Sequence, residues 1–290
     1  MVLITGKTKL LGIIGDPVEH SLSPVMHNAA IEQMGIDYVY IPFPVKPNNL
    51  ATAIAGLAAI DLVGFSVTIP HKQAIIPLLS KVAPEAEMIG AVNTVWRTEN
   101  GWQGTNTDVI GFVAPLQNLE RDWRKVTPVI LGNGGAARAV VVGLIELGCS
   151  EIHVVGRNKD KLAHFYQSWP NNREITTKLK IHYWEGLNAL LPAAELLINT
   201  TPIGMYPHVE QSPLDGELLK KLPSGAIAYD LIYTPNPTQF LQLAKAKGAV
   251  IIDGLEMLVQ QGVAALEIWL QQPVPVDVMR QSLQRHLGLV

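Results

Sequence analysis

Short apolar runs alternate with longer segments whose apolar residues recur at helical spacing, the pattern of a chain built from β–α units. In the first part, residues 10–14, 38–43 and 62–67 predict strands, while 24–33 and 48–60 predict helices. Residues 93–97 and 102–105 flank Glu99-Asn100-Gly101 and predict a hairpin, because Asn-Gly is a strong turn signal. A helix should then cover residues 108–118. The charged stretch Glu120-Arg121-Asp122-Trp123-Arg124-Lys125 reads as a solvated linker close to a domain boundary. Beyond it a new series begins, with strands at 129–131, 152–155, 196–199, 226–231 and 250–252 and helices at 136–147, 159–169 and 238–247. Two helices, 255–270 and 276–287, close the chain around a turn at 271–275.

Composition sharpens this picture. At 290 residues the chain has room for two domains of about 150 residues each. Charged residues make up 16% and hydrophobic ones 48%, which suits buried parallel strands covered by helices. The balance of 22 basic and 25 acidic residues, net −3, lacks the basic footprint that a nucleic-acid partner requires. Lys7 and Lys9 precede an apolar run too short for a signal peptide, and no uninterrupted apolar stretch approaches the roughly 18 residues of a membrane span. The expectation is a cytoplasmic protein without a membrane partner. Its low charge content accommodates a homodimer without requiring one. The single cysteine, Cys149, excludes an intrachain disulfide and any multi-cysteine metal site.

Leu131-Gly132-Asn133-Gly134-Gly135-Ala136-Ala137 follows an apolar strand and opens a helix, with glycine and alanine spaced as in a dinucleotide-binding turn. Gly132 permits the tight turn, Gly134 lets backbone approach a pyrophosphate, and Ala137 keeps helix close to strand. The anion would sit on free N–H groups at the helix start. The end of the next strand decides the cofactor: a carboxylate there would hold the ribose hydroxyl of NAD. Here Gly156-Arg157-Asn158-Lys159-Asp160-Lys161 offers cations suited to the 2′-phosphate of NADP, although Asp160 turned inward would favour NAD.

Two further motifs lie in the first part. In Glu19-His20-Ser21-Leu22-Ser23-Pro24, Pro24 fits a first helical position and Ser23 its N-cap, leaving Ser21 without a capping role. In Val67-Thr68-Ile69-Pro70-His71-Lys72 a lysine stands in the first turn of a helix, an unfavourable end of the dipole for a cation. Such placement would favour proton exchange near neutrality. His20, His27 and His71 lie near these motifs but form no pair at i and i+4, so no metal is expected. Asp253 suits the cap of the helix that begins near Leu255, and Cys149 reads as a buried spectator.

These motifs occur in order with Gly90-Ala91-Val92-Asn93-Thr94, Asn106-Thr107-Asp108, Asn199-Thr200-Thr201-Pro202-Ile203-Gly204-Met205 and Asp253-Gly254-Leu255-Glu256-Met257-Leu258-Val259-Gln260-Gln261. Together they resemble the shikimate dehydrogenase family over nearly the whole chain. The resemblance implies NADPH-dependent reduction of 3-dehydroshikimate to shikimate. By position, Ser21 and Ser23 would bind the substrate carboxylate, Thr68, Asn93, Asp108 and Gln261 the ring hydroxyls, and Tyr233 would close the site. Lys72 and Asp108 would be the catalytic pair. Gly132, Asn133, Gly134, Gly135 and Ala136 would cradle the pyrophosphate, with Arg157, Asn158, Lys159 and Lys161 at the 2′-phosphate and Leu231 and Gly254 at the nicotinamide. The implied architecture is α/β: an open-sheet substrate domain over residues 1–109, a Rossmann-type NADP domain over 110–253, and C-terminal helices at 254–290 returning to the first domain. The active site would then be the groove between domains. An NAD-dependent quinate or dual quinate/shikimate dehydrogenase is the rival enzyme. A non-catalytic nucleotide- or ligand-binding module would be expected to lack Lys72 or Asp108, and both are present.

Overall fold

The computed structural model describes residues 4–170 and 172–290. It divides into two compact units, Met1–Gly111 with Leu258–Val290, and Phe112–Met257.

The first unit is built on a sheet of strands β1 (Lys9–Gly15), β2 (Tyr38–Pro44), β3 (Gly64–Val67), β4 (Lys81–Val82), β5 (Thr94–Thr98) and β6 (Gly101–Thr105), in the order β2-β1-β3-β5-β6-β4. β1 runs parallel to both β2 and β3, while β5 and β6 form the hairpin expected around Gly101. β3 is buried at every position, as a strand covered on both faces should be. The carboxyl ends of β1 and β3 lie side by side, with Ile14 opposite Val67. Antiparallel β5 brings its amino end to the same edge, with Thr94 opposite Ser66. Returning C-terminal chain packs here: the Trp269 indole N–H donates to the Val95 carbonyl at 2.9 Å, filling space that only glycine at position 64 leaves free.

The second unit carries β7 (Pro128–Leu131), β8 (Ile152–Gly156), β9 (Leu179–Tyr183), β10 (Leu196–Asn199), β11 (Ile227–Asp230) and β12 (Val250–Ile252), all parallel, in the order β12-β11-β10-β7-β8-β9. Read from β9, this is the Rossmann order 3-2-1-4-5-6, whose direction of winding reverses between β7 and β10. The central strands β7, β10 and β11 are buried throughout.

Several local expectations need correction. Glu120–Lys125 is not a solvated linker: it lies inside the second unit, which begins at Phe112, and there Trp123 is only 8% exposed and Arg121 donates to the Gly225 carbonyl at 2.7 Å. The chain instead passes between units within the helices Asp108–Gln117 and Leu255–Leu270. Ser23 is not an N-cap. Leu22 holds that position, Ser23 begins the helix Ser23–Met34, and the Ser21 hydroxyl accepts from the Ser23 N–H at 3.3 Å. The helix bearing Lys72 is a single turn, His71–Ala74, too short to exert much of a macrodipole. Strand β9 was not expected, because a five-residue edge strand with Lys180 and His182 among its positions has little apolar signal.

Candidate active site

In the first unit the loops leaving β1 and β3 and the turn entering β5 share one edge of the sheet. Ser21 and Ser23 follow β1, Thr68 follows β3, and Asn93 immediately precedes β5. The backbone knits this edge: Thr68 N–H donates to the Ile14 carbonyl at 2.9 Å, Val67 N–H to Asn93 at 2.7 Å, and Val92 N–H to Lys72 at 2.7 Å. Ligands of open α/β sheets bind at such carboxyl ends.

Lys72 Nζ lies 2.6 Å from Asp108 Oδ2, with side-chain exposures of 19% and 7%. Asn93 Nδ2 donates to the other carboxylate oxygen, Asp108 Oδ1, at 2.8 Å and to Thr107 Oγ1 at 3.0 Å. Asn93 Oδ1 in turn accepts the Thr107 N–H at 2.8 Å and the Thr94 hydroxyl at 2.9 Å. Asn106 fixes the start of the helix by accepting the Asp108 N–H at 2.9 Å and donating to the Ala91 carbonyl at 2.9 Å. Asp108 is therefore held at both oxygens and at its own backbone, and Lys72 is the partly exposed member of the pair. That arrangement presents one ammonium, oriented by a fixed carboxylate, at the edge where the serines and Thr68 stand.

Asn106 and Thr107 stand in a quoted motif, yet the sequence assigns them no role. Their part is structural: four consecutive polar residues, Thr105 to Asp108, are all buried in a chain poor in charge, and that polar run is the one signal the sequence offers. His71, beside Lys72, is buried and its Nε2 lies 2.6 Å from the Val45 carbonyl, a packing role. Gln261 is half-buried on the helix Leu255–Leu270 and donates to the Leu258 carbonyl at 2.7 Å. Among the described residues no group of three or more His, Cys, Asp or Glu could hold a metal ion.

In the second unit, Gly132 has φ +105, and a Cβ there would meet Thr200 Oγ1 at 2.7 Å, so the turn itself demands glycine. Gly134 is different. Its backbone is extended, and a Cβ would meet nothing within 4 Å. The space beside Gly134 is used by no protein atom, and no side chain caps the helix Gly135–Glu146. Free N–H groups facing open space at the switch point between β7 and β10 fit a pyrophosphate. Asn133 and Ala136 are half-buried in the same turn, and Ala137 is fully buried against the strand. Beyond β8, Arg157, Asn158, Lys159, Asp160 and Lys161 are all exposed, and the Asn158 side chain accepts the Lys161 N–H at 2.8 Å as a helix cap. Gly156 makes room for Asn133, whose Oδ1 would lie 3.2 Å from a Cβ at 156.

Leu231 and Gly254 meet directly: a Cβ on Gly254 would lie 2.2 Å from the Leu231 carbonyl oxygen. Asp253 caps the following helix by accepting the Leu255 N–H at 2.9 Å. Tyr233, half-buried, also belongs to the second unit. Just before Leu231 stands Asp230, a buried residue that sequence reasoning passes over. It accepts the Thr238 hydroxyl at 2.7 Å, the Asn199 amide at 3.0 Å and the Ile232 N–H at 3.1 Å. Burial nevertheless raises its pKa to about 6, against these lowering hydrogen bonds. Cys149 is fully buried, which pushes its thiol up to about 11.

A Rossmann-type glycine turn at an uncapped helix start in one unit, and a lysine aimed by a fixed carboxylate in the other, suit a nicotinamide-dependent oxidoreductase. The family description "Shikimate dehydrogenase substrate binding domain" matches residues 13–95, and "Shikimate 5'-dehydrogenase C-terminal domain" matches 254–284. The chain is 67% identical to the shikimate dehydrogenase (NADP(+)) of Trichormus variabilis, over 99% of this chain and 100% of that one. It is 65% identical to that of Gloeothece citriformis, over 100% of both. Among solved structures, shikimate 5-dehydrogenase from Thermus thermophilus in complex with NADP(H) and shikimate superposes with a TM-score of 0.83 at 32% identity, over 96% of this chain and 99% of that one. The chain belongs to the shikimate dehydrogenase family.

Proposed function

We propose that the chain catalyses the reversible NADP-dependent reduction of 3-dehydroshikimate at its C3 ketone to shikimate, on the route to chorismate and the aromatic amino acids. The observation that carries this is the 2.6 Å pair of Lys72 and Asp108, partly buried at the edge of the sheet, with the carboxylate fixed by Asn93. Family membership at 67% identity with a relative named for NADP(+) supports the cofactor.

When bound, NADPH supplies the hydride. The protein's own work is protonic and positional. Lys72 Nζ holds the proton that the ketone oxygen takes up as it becomes a hydroxyl, and Asp108 keeps Nζ aimed. Ser21 and Ser23 bind the substrate carboxylate, while Thr68, Asn93, Asp108 and Gln261 hold the ring hydroxyls. Several short polar groups suit a polyhydroxylated acid better than an apolar pocket would. Tyr233 closes over the substrate. The turn from Gly132 to Ala136 cradles the pyrophosphate, Arg157 with Asn158, Lys159 and Lys161 serves the 2′-phosphate, and Leu231 and Gly254 flank the nicotinamide. The first unit serves as the substrate domain and the second as the NADP domain. The enzyme works in the cytoplasm on small molecules, without nucleic-acid or membrane partners, and a homodimer is compatible with this role.

The test is absorbance at the reduced-nicotinamide band with shikimate and either NADP or NAD. A rise with NADP and little with NAD is expected. A rise mainly with NAD would overturn the role of Arg157, and none with either, quinate included, would overturn the activity.

A further inference from the structure

β8 and β9 run parallel with Gly156 opposite Tyr183, so the loop leaving β8 and the turn leaving β9 emerge side by side. The first carries Arg157 and Lys159, the second Trp184. The Arg157 guanidinium lies over the Trp184 ring, 5.3 Å from its centroid, and the Lys159 ammonium over the Tyr183 ring at 4.8 Å. Among the described residues neither cation has a carboxylate partner within ion-pair distance. Asp160, next in sequence to Lys159, pairs with neither.

Two exposed cations that ignore a neighbouring carboxylate and rest on aromatic faces retain their outward charge for something else. Long cationic side chains on an open loop otherwise sample many rotamers, and ordering them on binding weakens the binding. An aromatic seat removes part of that loss in advance, and a guanidinium held over an indole still has N–H groups to offer a phosphate. Trp184 is a firm seat because it packs against the core of buried residues that includes Val155 and Leu187. Tyr183 is 46% exposed, which its own packing does not explain. The Asn158 cap fixes the backbone between the two cations.

We propose that Trp184 and Tyr183 are positioning residues for cofactor specificity, holding Arg157 and Lys159 ready for the 2′-phosphate that distinguishes NADP from NAD. This rests on the assignment of that phosphate to the end of β8. The aromatic pair acts through the cations and does not itself recognise the nucleotide.

Calorimetric titration of the full-length protein with NADP+, NAD+ and adenosine 2′,5′-bisphosphate tests the proposal without turnover. Trp184→Leu should weaken NADP+ and the bisphosphate roughly three- to thirtyfold while NAD+ changes less than twofold. Trp184→Phe, which keeps a ring face, should recover most of that loss. Once Arg157→Ala is in place, Trp184→Leu should add nothing. Equal weakening of NADP+ and NAD+ would mean that Trp184 stacks on the nucleotide or merely supports the fold, and no change would mean that the seat is idle. Either overturns the proposal. Should Trp184→Leu fail to fold, Tyr183→Leu decides: selective weakening of NADP+ supports the proposal and its absence overturns it. Wild-type protein that binds NADP+ no tighter than NAD+, with Arg157→Ala inert toward both, would instead remove the underlying phosphate assignment.

Discussion

Met26 and Gly262 are packed so closely that any side chain at 262 would have to displace the buried Met26 thioether: a Cβ there would lie 2.3 Å from Met26 Cε and 3.4 Å from His27 Nε2. The contact seats the helix that carries Gln261 on the helix that begins at Ser23. Gly262→Ala should therefore overpack the junction, destabilising the protein by about 1–3 kcal/mol. It should also raise KM for shikimate more than it changes KM for NADP. Met26→Ala in the same chain removes the clashing atoms and should restore part of the shikimate KM, which steady-state kinetics of the double variant would check. A double variant no better than Gly262→Ala alone would separate the two residues.

The glycines of the phosphate turn should behave oppositely. Gly132→Ala forces a left-handed backbone position and a Thr200 clash, and should lower stability by about 1–3 kcal/mol. Gly134→Ala meets nothing in the protein, so its melting temperature should match wild type while NADP binding weakens about tenfold or more. Intact NADP affinity in Gly134→Ala would show that the open space is not the pyrophosphate seat.

Lys72→Ala should cut turnover on the order of 10²–10⁴-fold, the range for a lost acid–base group, with shikimate binding retained. The Asp108 carboxylate stays held by Asn93 and the Asn106 turn, so the rest of the site keeps its shape. Turnover close to wild type would take Lys72 out of the proton's path.

What the sequence exposed and what it hid follow from range. Gly132, Asn133 and Gly134 were legible because a strand, a turn and a helix follow one another locally, and each glycine has a local reason. Lys72 and Asp108 were brought together only by the family resemblance, since nothing in their spacing tells that β3 and β6 bring their ends to one edge. The same distance hid Asn106, Thr107 and Asp230, whose hydrogen bonds depend on strands far apart in the chain. β9 was hidden for another reason. An edge strand needs only one apolar face, and Leu179, Ile181 and Tyr183 alternate with Lys180 and His182 too briefly to announce it. Trp184 consequently had no visible connection with Arg157.

His27 provides a prediction about pH. Its ring is wholly buried, stacks on Tyr40 with centroids 4.2 Å apart, and among the described residues finds no hydrogen-bond partner for either nitrogen. Burial lowers its pKa from 6.5 to about 3. The unfolded chain thus takes up a proton as pH falls below 6.5 while the folded chain refuses it, so stability is present above 6.5 and is lost as pH falls toward 3. At pH 5 the loss should be about 2 kcal/mol relative to pH 7. Asp230 acts in the opposite sense: its raised pKa adds stability that is present below 3.8 and lost as pH rises through about 6. A wild-type profile alone would mix the two. His27→Phe keeps a ring against Tyr40 and leaves Asp230 untouched, so the difference between the profiles isolates the imidazole. Urea unfolding at pH 7 and pH 5 should find wild type losing about 2 kcal/mol more than His27→Phe over that interval. Parallel profiles would mean that His27 finds water or a partner when protonated.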